Sequence, residues 1–77
     1  MKDGPDIAFQ LFLKQIGNKL KQARNNAGLS QEKVSEINNI DYKYYQRIES
    51  GCVNITIKTL LKLSKSLKIE PSELLKK

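Results

Sequence analysis

Between Leu29 and Gly51 the chain reads LSQEKVSEINNIDYKYYQRIESG, two short amphipathic runs separated by an Asn-Asn pair. Ser30 is suited to cap the first run, which Gln31 and Glu32 open and whose apolar side is Val34 and Ile37. Asn38 and Asn39 interrupt it, and asparagine tolerates the positive φ that a tight turn demands. Asp41 can cap the second run, whose inner face is Tyr45 and Ile48. Tyr42, Lys43, Gln46 and Arg47 then fall towards solvent, Tyr44 lies on the border, and Gly51 ends the run. The rest of the chain reads as support for this pair of helices.

Upstream, Ile7, Phe9, Phe12, Leu13, Ile16, Leu20, Ala23 and Ala27 recur at helical spacing, which predicts one long amphipathic helix stopped by Gly28. Phe9 and Phe12 carry it further than a small core needs, so they either cap the core or meet a second subunit. Downstream, Cys52 to Ile55 reads as a loop. Thr56 can cap a further helix with Ile57, Leu60, Leu63, Ser64 and Leu67 on its buried side. Pro71 suits the first turn of a last short helix, Glu73 complements that end of its dipole, and Leu74 and Leu75 give it an apolar side. No strand candidate, internal repeat or low-complexity segment interrupts this pattern. The expectation is an all-α, compact five-helix bundle containing a helix-turn-helix, with a flexible N-terminus over residues 1–8 and a single domain over 9–77.

Composition narrows the function. Seventy-seven residues make one domain with a small core. Fourteen basic against eight acidic residues leave a net charge of +6, which favours polyanionic partners: nucleic acid first, an anionic membrane surface second. A solubility-driven surplus of lysine would give the same balance. No apolar run approaches a membrane span, and Asp3, Gly4, Pro5 and Asp6 intrude where a signal peptide would begin. With Cys52 the only cysteine, nothing points to secretion, and a cytoplasmic location is expected. One cysteine and no histidine cannot build a metal site of the usual thiolate and imidazole ligands, and Ser-His-Asp or Cys-His catalysis is excluded. Gly4, Gly17, Gly28 and Gly51 stand too far apart for a phosphate-cradling loop. An enzyme, a cofactor and a small-molecule ligand are therefore not expected.

Two helices joined by a turn of three or four residues form a helix-turn-helix, whose second helix can lie in the DNA major groove. Such a helix needs long, donor-rich side chains: Lys and Arg suit guanine, Gln suits adenine, and Tyr offers a hydroxyl and a ring for a thymine methyl. Tyr42, Lys43, Tyr44, Gln46 and Arg47 meet that description within six residues. A solvated helix face would carry much the same residues. The preceding helix would set its N-terminus, Ser30 and Gln31, against phosphate. Asn54 and Lys58 could grip the backbone on the far side. Lys58, Lys62 and Lys65 share one side of their helix, either as a solvated face or as a second stripe; Lys14 and Lys21 stand alike. Arg24 and Glu49, if they meet, would tie the first helix to the reading helix by a bidentate pair.

The motifs carry a resemblance. Gly28-Leu29-Ser30-Gln31-Glu32, Arg47-Ile48-Glu49-Ser50-Gly51, Asn54-Ile55-Thr56-Ile57-Lys58-Thr59-Leu60 and Ser72-Glu73-Leu74-Leu75 occur in that order along the chain. In this the chain resembles the XRE family of helix-turn-helix regulators, which includes phage repressors and Cro proteins, over about Ile16 to Leu75. The resemblance implies a five-helix, lambda-repressor-like fold and sequence-specific binding of double-stranded DNA, commonly as a homodimer on a palindromic operator. It places Gln31 at a phosphate and base-edge contact, Tyr42, Lys43, Tyr44 and Arg47 at base-reading positions, and Arg24 and Glu49 on a familiar ion pair. Asp41 with Tyr44, followed by Asn54 to Lys58, is most similar to the controller proteins of restriction–modification systems.

The chain also departs from the pattern. Asn39 replaces the turn Gly, Ser35 and Ser64 replace Ala, and Ile55 replaces Pro. Asn38 stands where an apolar residue is expected, with Ile37 one place early. Tyr45 replaces a β-branched core residue and needs a partner for its hydroxyl. The rival to a DNA-binding regulator is an antitoxin-like protein-interaction module whose DNA binding is secondary. Leu74, Leu75 and the Phe9–Phe12 end of the first helix are the candidate dimer surfaces.

Overall fold

In the computed structural model, which describes residues 4–76, five helices follow one another: α1 (Gly4–Asn26), α2 (Gln31–Ile37), α3 (Tyr42–Ser50), α4 (Ile57–Ser66) and α5 (Pro71–Leu75). Three of them start on a side chain that accepts an otherwise unpaired backbone N–H. The Ser30 hydroxyl accepts from Lys33 at 3.0 Å, the Asp41 carboxylate from Tyr44 at 3.1 Å and the Thr56 hydroxyl from Thr59 at 3.1 Å. Pro71 opens α5, where its missing N–H costs nothing.

The first four helices end by one device. A left-handed residue (Gly28, Asn39, Gly51 or Lys68) follows each, and the next N–H reaches back five residues to a free carbonyl. Leu29 bonds Arg24 in this way, Ile40 bonds Ser35, Cys52 bonds Arg47 and Ile69 bonds Ser64, at 2.9–3.1 Å. Leu29, Ile40 and Ile69 then turn onto the core, so each helix stop also aims the chain inward. Asn39 thus supplies the positive φ of the α2–α3 turn.

The core is Ile16 and Leu20 of α1, Val34 of α2, Tyr45 and Ile48 of α3, Leu60 and Leu63 of α4 with Leu67 just beyond it, and Leu74 of α5. Helix α3 packs chiefly on α1 and α2. Where α1 crosses the last turn of α3 there is room only for glycine: a Cβ on Gly17 would lie 2.6 Å from the Ile48 carbonyl oxygen and closer still to that of Glu49. No helix among the described residues is long and apolar enough to cross a membrane.

Several expectations need correction. Of the stretch 1–8 expected to be flexible, residues 4–8 are helical in α1, and residues 1–3 lie outside those described. Asp6 in the first turn suits that end of the dipole. At 23 residues, or about 34 Å, α1 outruns a bundle built from helices of 5–10 residues, so Ile7 and Phe9 are exposed rather than core. Ile37 is 52% exposed and Asn38 is 6% exposed, the reverse of the expected order. Val34 and Ser35 set the inward face of α2, and one turn on from Val34 that face falls on Asn38. Its amide is satisfied there, donating to the Val34 carbonyl and to the Ser66 hydroxyl, both at 2.9 Å. Ile57, the first residue of α4, lies at the margin of the bundle and is 66% exposed. Leu74 is wholly buried, which removes it as a dimer contact, whereas Leu75 is exposed.

Candidate nucleic-acid interface

Helix α3 has two chemically opposed sides. Tyr45 and Ile48 point into the core, while Tyr42, Lys43, Gln46 and Arg47 are exposed and Tyr44 is half-buried. The exposed side therefore offers an ammonium, a guanidinium, an amide and a phenol over two turns. These are the donors that can address base edges in a groove. The Tyr44 hydroxyl donates to the Asn54 carbonyl at 3.4 Å, linking α3 to the loop before α4.

A buried polar cluster beneath this face holds α3 in place. Arg24 Nε donates to Glu49 Oε2 at 2.6 Å and Arg24 Nη2 to Glu49 Oε1 at 3.2 Å, a bidentate pair whose side chains are 11% and 4% exposed. Arg24 Nη1 also donates to the Leu29 carbonyl at 2.9 Å, which fixes the α1–α2 connection. Gln31 Nε2 donates to Glu49 Oε1 at 2.9 Å, and the Tyr45 hydroxyl to Glu49 Oε2 at 2.5 Å. One carboxylate thus binds α1, α2 and α3 together, with four donors on its two oxygens. Every side-chain nitrogen and oxygen buried among the described residues has a partner.

The electrostatics follow from this geometry. Burial pushes the Glu49 carboxyl up, but hydrogen bonds from Arg24, Tyr45 and Gln31 outweigh it and hold the group below its ordinary value. The hydrogen bond to Glu49 raises Arg24 above its ordinary value against a smaller effect of burial. Burial, then the bond to Glu49, raises Tyr45 strongly, so it remains a neutral donor. Glu49 is an anion and Arg24 a cation throughout the physiological range.

The structure brings Arg24, Gln31, Tyr45 and Glu49 into one cluster and places Gln46 beside it on the surface. Ser30 is exposed at the start of α2 with its oxygen engaged as the cap. Asn54 is exposed in the α3–α4 loop, and Lys58 is exposed in the first turn of α4 and stands apart from the cluster. Two members of the cluster were missed in the sequence. Tyr45 and Glu49 stand four residues apart on one helix, a spacing at which side chains meet, and that signal could have found the tyrosine's partner. The bond from Gln31 crosses between helices and leaves no such trace.

Comparison with known proteins gives a consistent picture. A family model described as helix-turn-helix domain matches residues 17–77. Control protein C.MunI from Mycoplasma sp is 41% identical over 61 residues, which is 78% of this chain and 82% of that relative. The crystal structure of the restriction-modification controller protein C.AhdI from Aeromonas hydrophila superposes with a TM-score of 0.76 at 37% identity, covering 80% of this chain and 94% of that one. The restriction-modification controller protein C.Esp1396I gives 0.74 at 30% identity, covering 83% and 86%.

Proposed function

Since the chain belongs to the helix-turn-helix domain family of DNA-binding transcription regulators, we propose that it lays α3 in the major groove of a specific duplex site and does so as a homodimer. Two of its structural relatives are named as restriction–modification controller proteins, and this chain serves the same kind of system in the cytoplasm. The observation that carries the reading is the exposed donor face of α3, Tyr42, Lys43, Gln46 and Arg47, set rigidly on the Arg24–Glu49 cluster. Tyr44 at the border of that face adds a further base contact. Rigid placement matters because base discrimination depends on donors held in register with base edges. Contacts to phosphate from Ser30, Gln31, Asn54 and Lys58 supply affinity without sequence preference.

Ile57 and Leu61 stand one turn apart on α4, and Pro71 and Leu75 one turn apart on α5, with Leu61 and Pro71 lining one depression. Ile57, Leu61 and Leu75 are exposed, and with Pro71 they offer apolar side chains of α4 and α5 to a two-fold contact between copies. A homodimer reads a palindrome with half-sites about one helical turn apart, near 34–36 Å. Selection of bound sequences from random duplex DNA tests this. Enrichment of an inverted repeat supports the proposal, and recovery of unenriched sequence overturns it. The rival, a protein-interaction module, draws on the exposed Ile7, Phe9 and Leu11 of α1. A co-purifying partner, with DNA binding weak and indifferent to sequence, is the outcome that favours it.

A further inference from the structure

We propose that α1 adds a phosphate-binding stripe, Lys14 and Lys21 with Asn18 between them, to the DNA-contacting face. The inference rests on the reading of α3 as a DNA-binding helix. Residues 14, 18 and 21 recur at helical spacing and so share one side of α1. The three side chains are exposed, and they line one surface depression with Gln31 of α2 and with Gln46 and Ser50 of α3. The stripe is therefore continuous with the residues that face DNA.

The charge balance of this depression is positive. Glu49 is its only acid, and both its oxygens are taken by Arg24, Gln31 and Tyr45. Neither lysine makes a salt bridge among the described residues. The start of the Lys14 stem lies against Gly51, where an added Cβ would meet Lys14 Cγ at 2.6 Å, so the side chain leaves α1 beside the last turn of α3. Lys14 and Lys21 are two helical turns apart, about 10 Å, which matches the axial rise of about three nucleotides of one strand. Asn18 offers a neutral donor midway. Lys14 lies upstream of the segment 17–77 that matches the family model, so the long α1 of this chain supplies a cation outside that segment.

The test compares K14Q/K21Q with wild type by titrating the selected site and a random duplex at several salt concentrations. Two lost phosphate contacts lower the slope of log K against log salt by about 2, so the affinity advantage of wild type shrinks about 12-fold between 50 and 200 mM salt. The loss is equal on selected and random DNA, and K14R/K21R restores the slope. An unchanged slope in K14Q/K21Q overturns the stripe. Wild type that fails to prefer its selected site would instead overturn the DNA-binding reading itself.

Discussion

Replacing Glu49 by glutamine keeps its shape and removes its charge. Arg24 is then left as a cation in a site where its side chain is only 11% exposed. Breaking a fully buried pair costs about 3–5 kcal/mol. Arg24 keeps its bond to the Leu29 carbonyl, so the lower end applies, about 3 kcal/mol. A chain of this length has a total stability of about 4–12 kcal/mol, so the loss is a large fraction of it. R24M leaves the carboxylate with two donors, Tyr45 and Gln31, and costs about 2 kcal/mol. In the double variant neither charge is stranded. It therefore costs about 2–3 kcal/mol rather than the sum of about 5, a coupling of about 2–3 kcal/mol. Urea denaturation followed by far-UV circular dichroism measures all four proteins; with m about 1 kcal/mol/M, E49Q lowers the midpoint by about 3 M. Acid adds a second check. The folded Glu49 carboxyl binds its proton less tightly than the unfolded one, so its contribution is present above the ordinary value of 4.5 and is lost as pH falls below it. The gap between wild type and E49Q narrows accordingly on acidification. Additive single costs, or a gap that widens in acid, would refute the reasoning.

Three further outcomes are expected. G17A forces a methyl group onto the Ile48 and Glu49 carbonyls; it costs about 3 kcal/mol or more and lowers Tm by about 12 °C or more, as calorimetry would record. L61E puts a charge in the apolar surface of α4 and α5 and yields a monomer in sedimentation velocity, with its circular dichroism unchanged. A dimer that survives this change places the contact elsewhere. K58A weakens specific and random DNA alike and reduces the salt slope by about 1; a loss confined to the specific site would make Lys58 a base reader.

Much of this fold is legible in the sequence because its helix ends are written in side chains. Ser30, Asp41 and Thr56 are caps by chemistry, and Gly28, Asn39 and Gly51 mark left-handed stops by conformational freedom. Lys68 adopts the same conformation with no such signal, since what stabilises it is the bond from Ile69 back to Ser64. The phase of α3 is readable from Tyr45 and Ile48. The phase of α2 is not, because seven residues with two aliphatic side chains allow either Ile37 or Asn38 to face inward. Val34 and Ser35 turn inward and carry Asn38 with them, and Ser66, 28 residues further along, accepts from its buried amide. The site divides in the same way. The donors of α3 show in sequence because they share one helix, whereas Glu49 gathers partners from three helices, and only packing reveals that Gln31 and Tyr45 are among them. The close approach at Gly17 is equally silent, since a glycine inside a helix names no neighbour.

In the proposed complex α3 reads bases while other residues hold phosphate. Competitive titration of wild type and R47A on the selected site and on random duplex, at one physiological salt concentration, addresses that division most directly. Wild type should prefer its site by a factor on the order of 10³ or more. R47A should lose about 1–3 kcal/mol on that site, with preference relaxed at one base pair of each half-site and random binding little changed. An equal loss on both duplexes would contradict the assignment and make Arg47 one more phosphate contact.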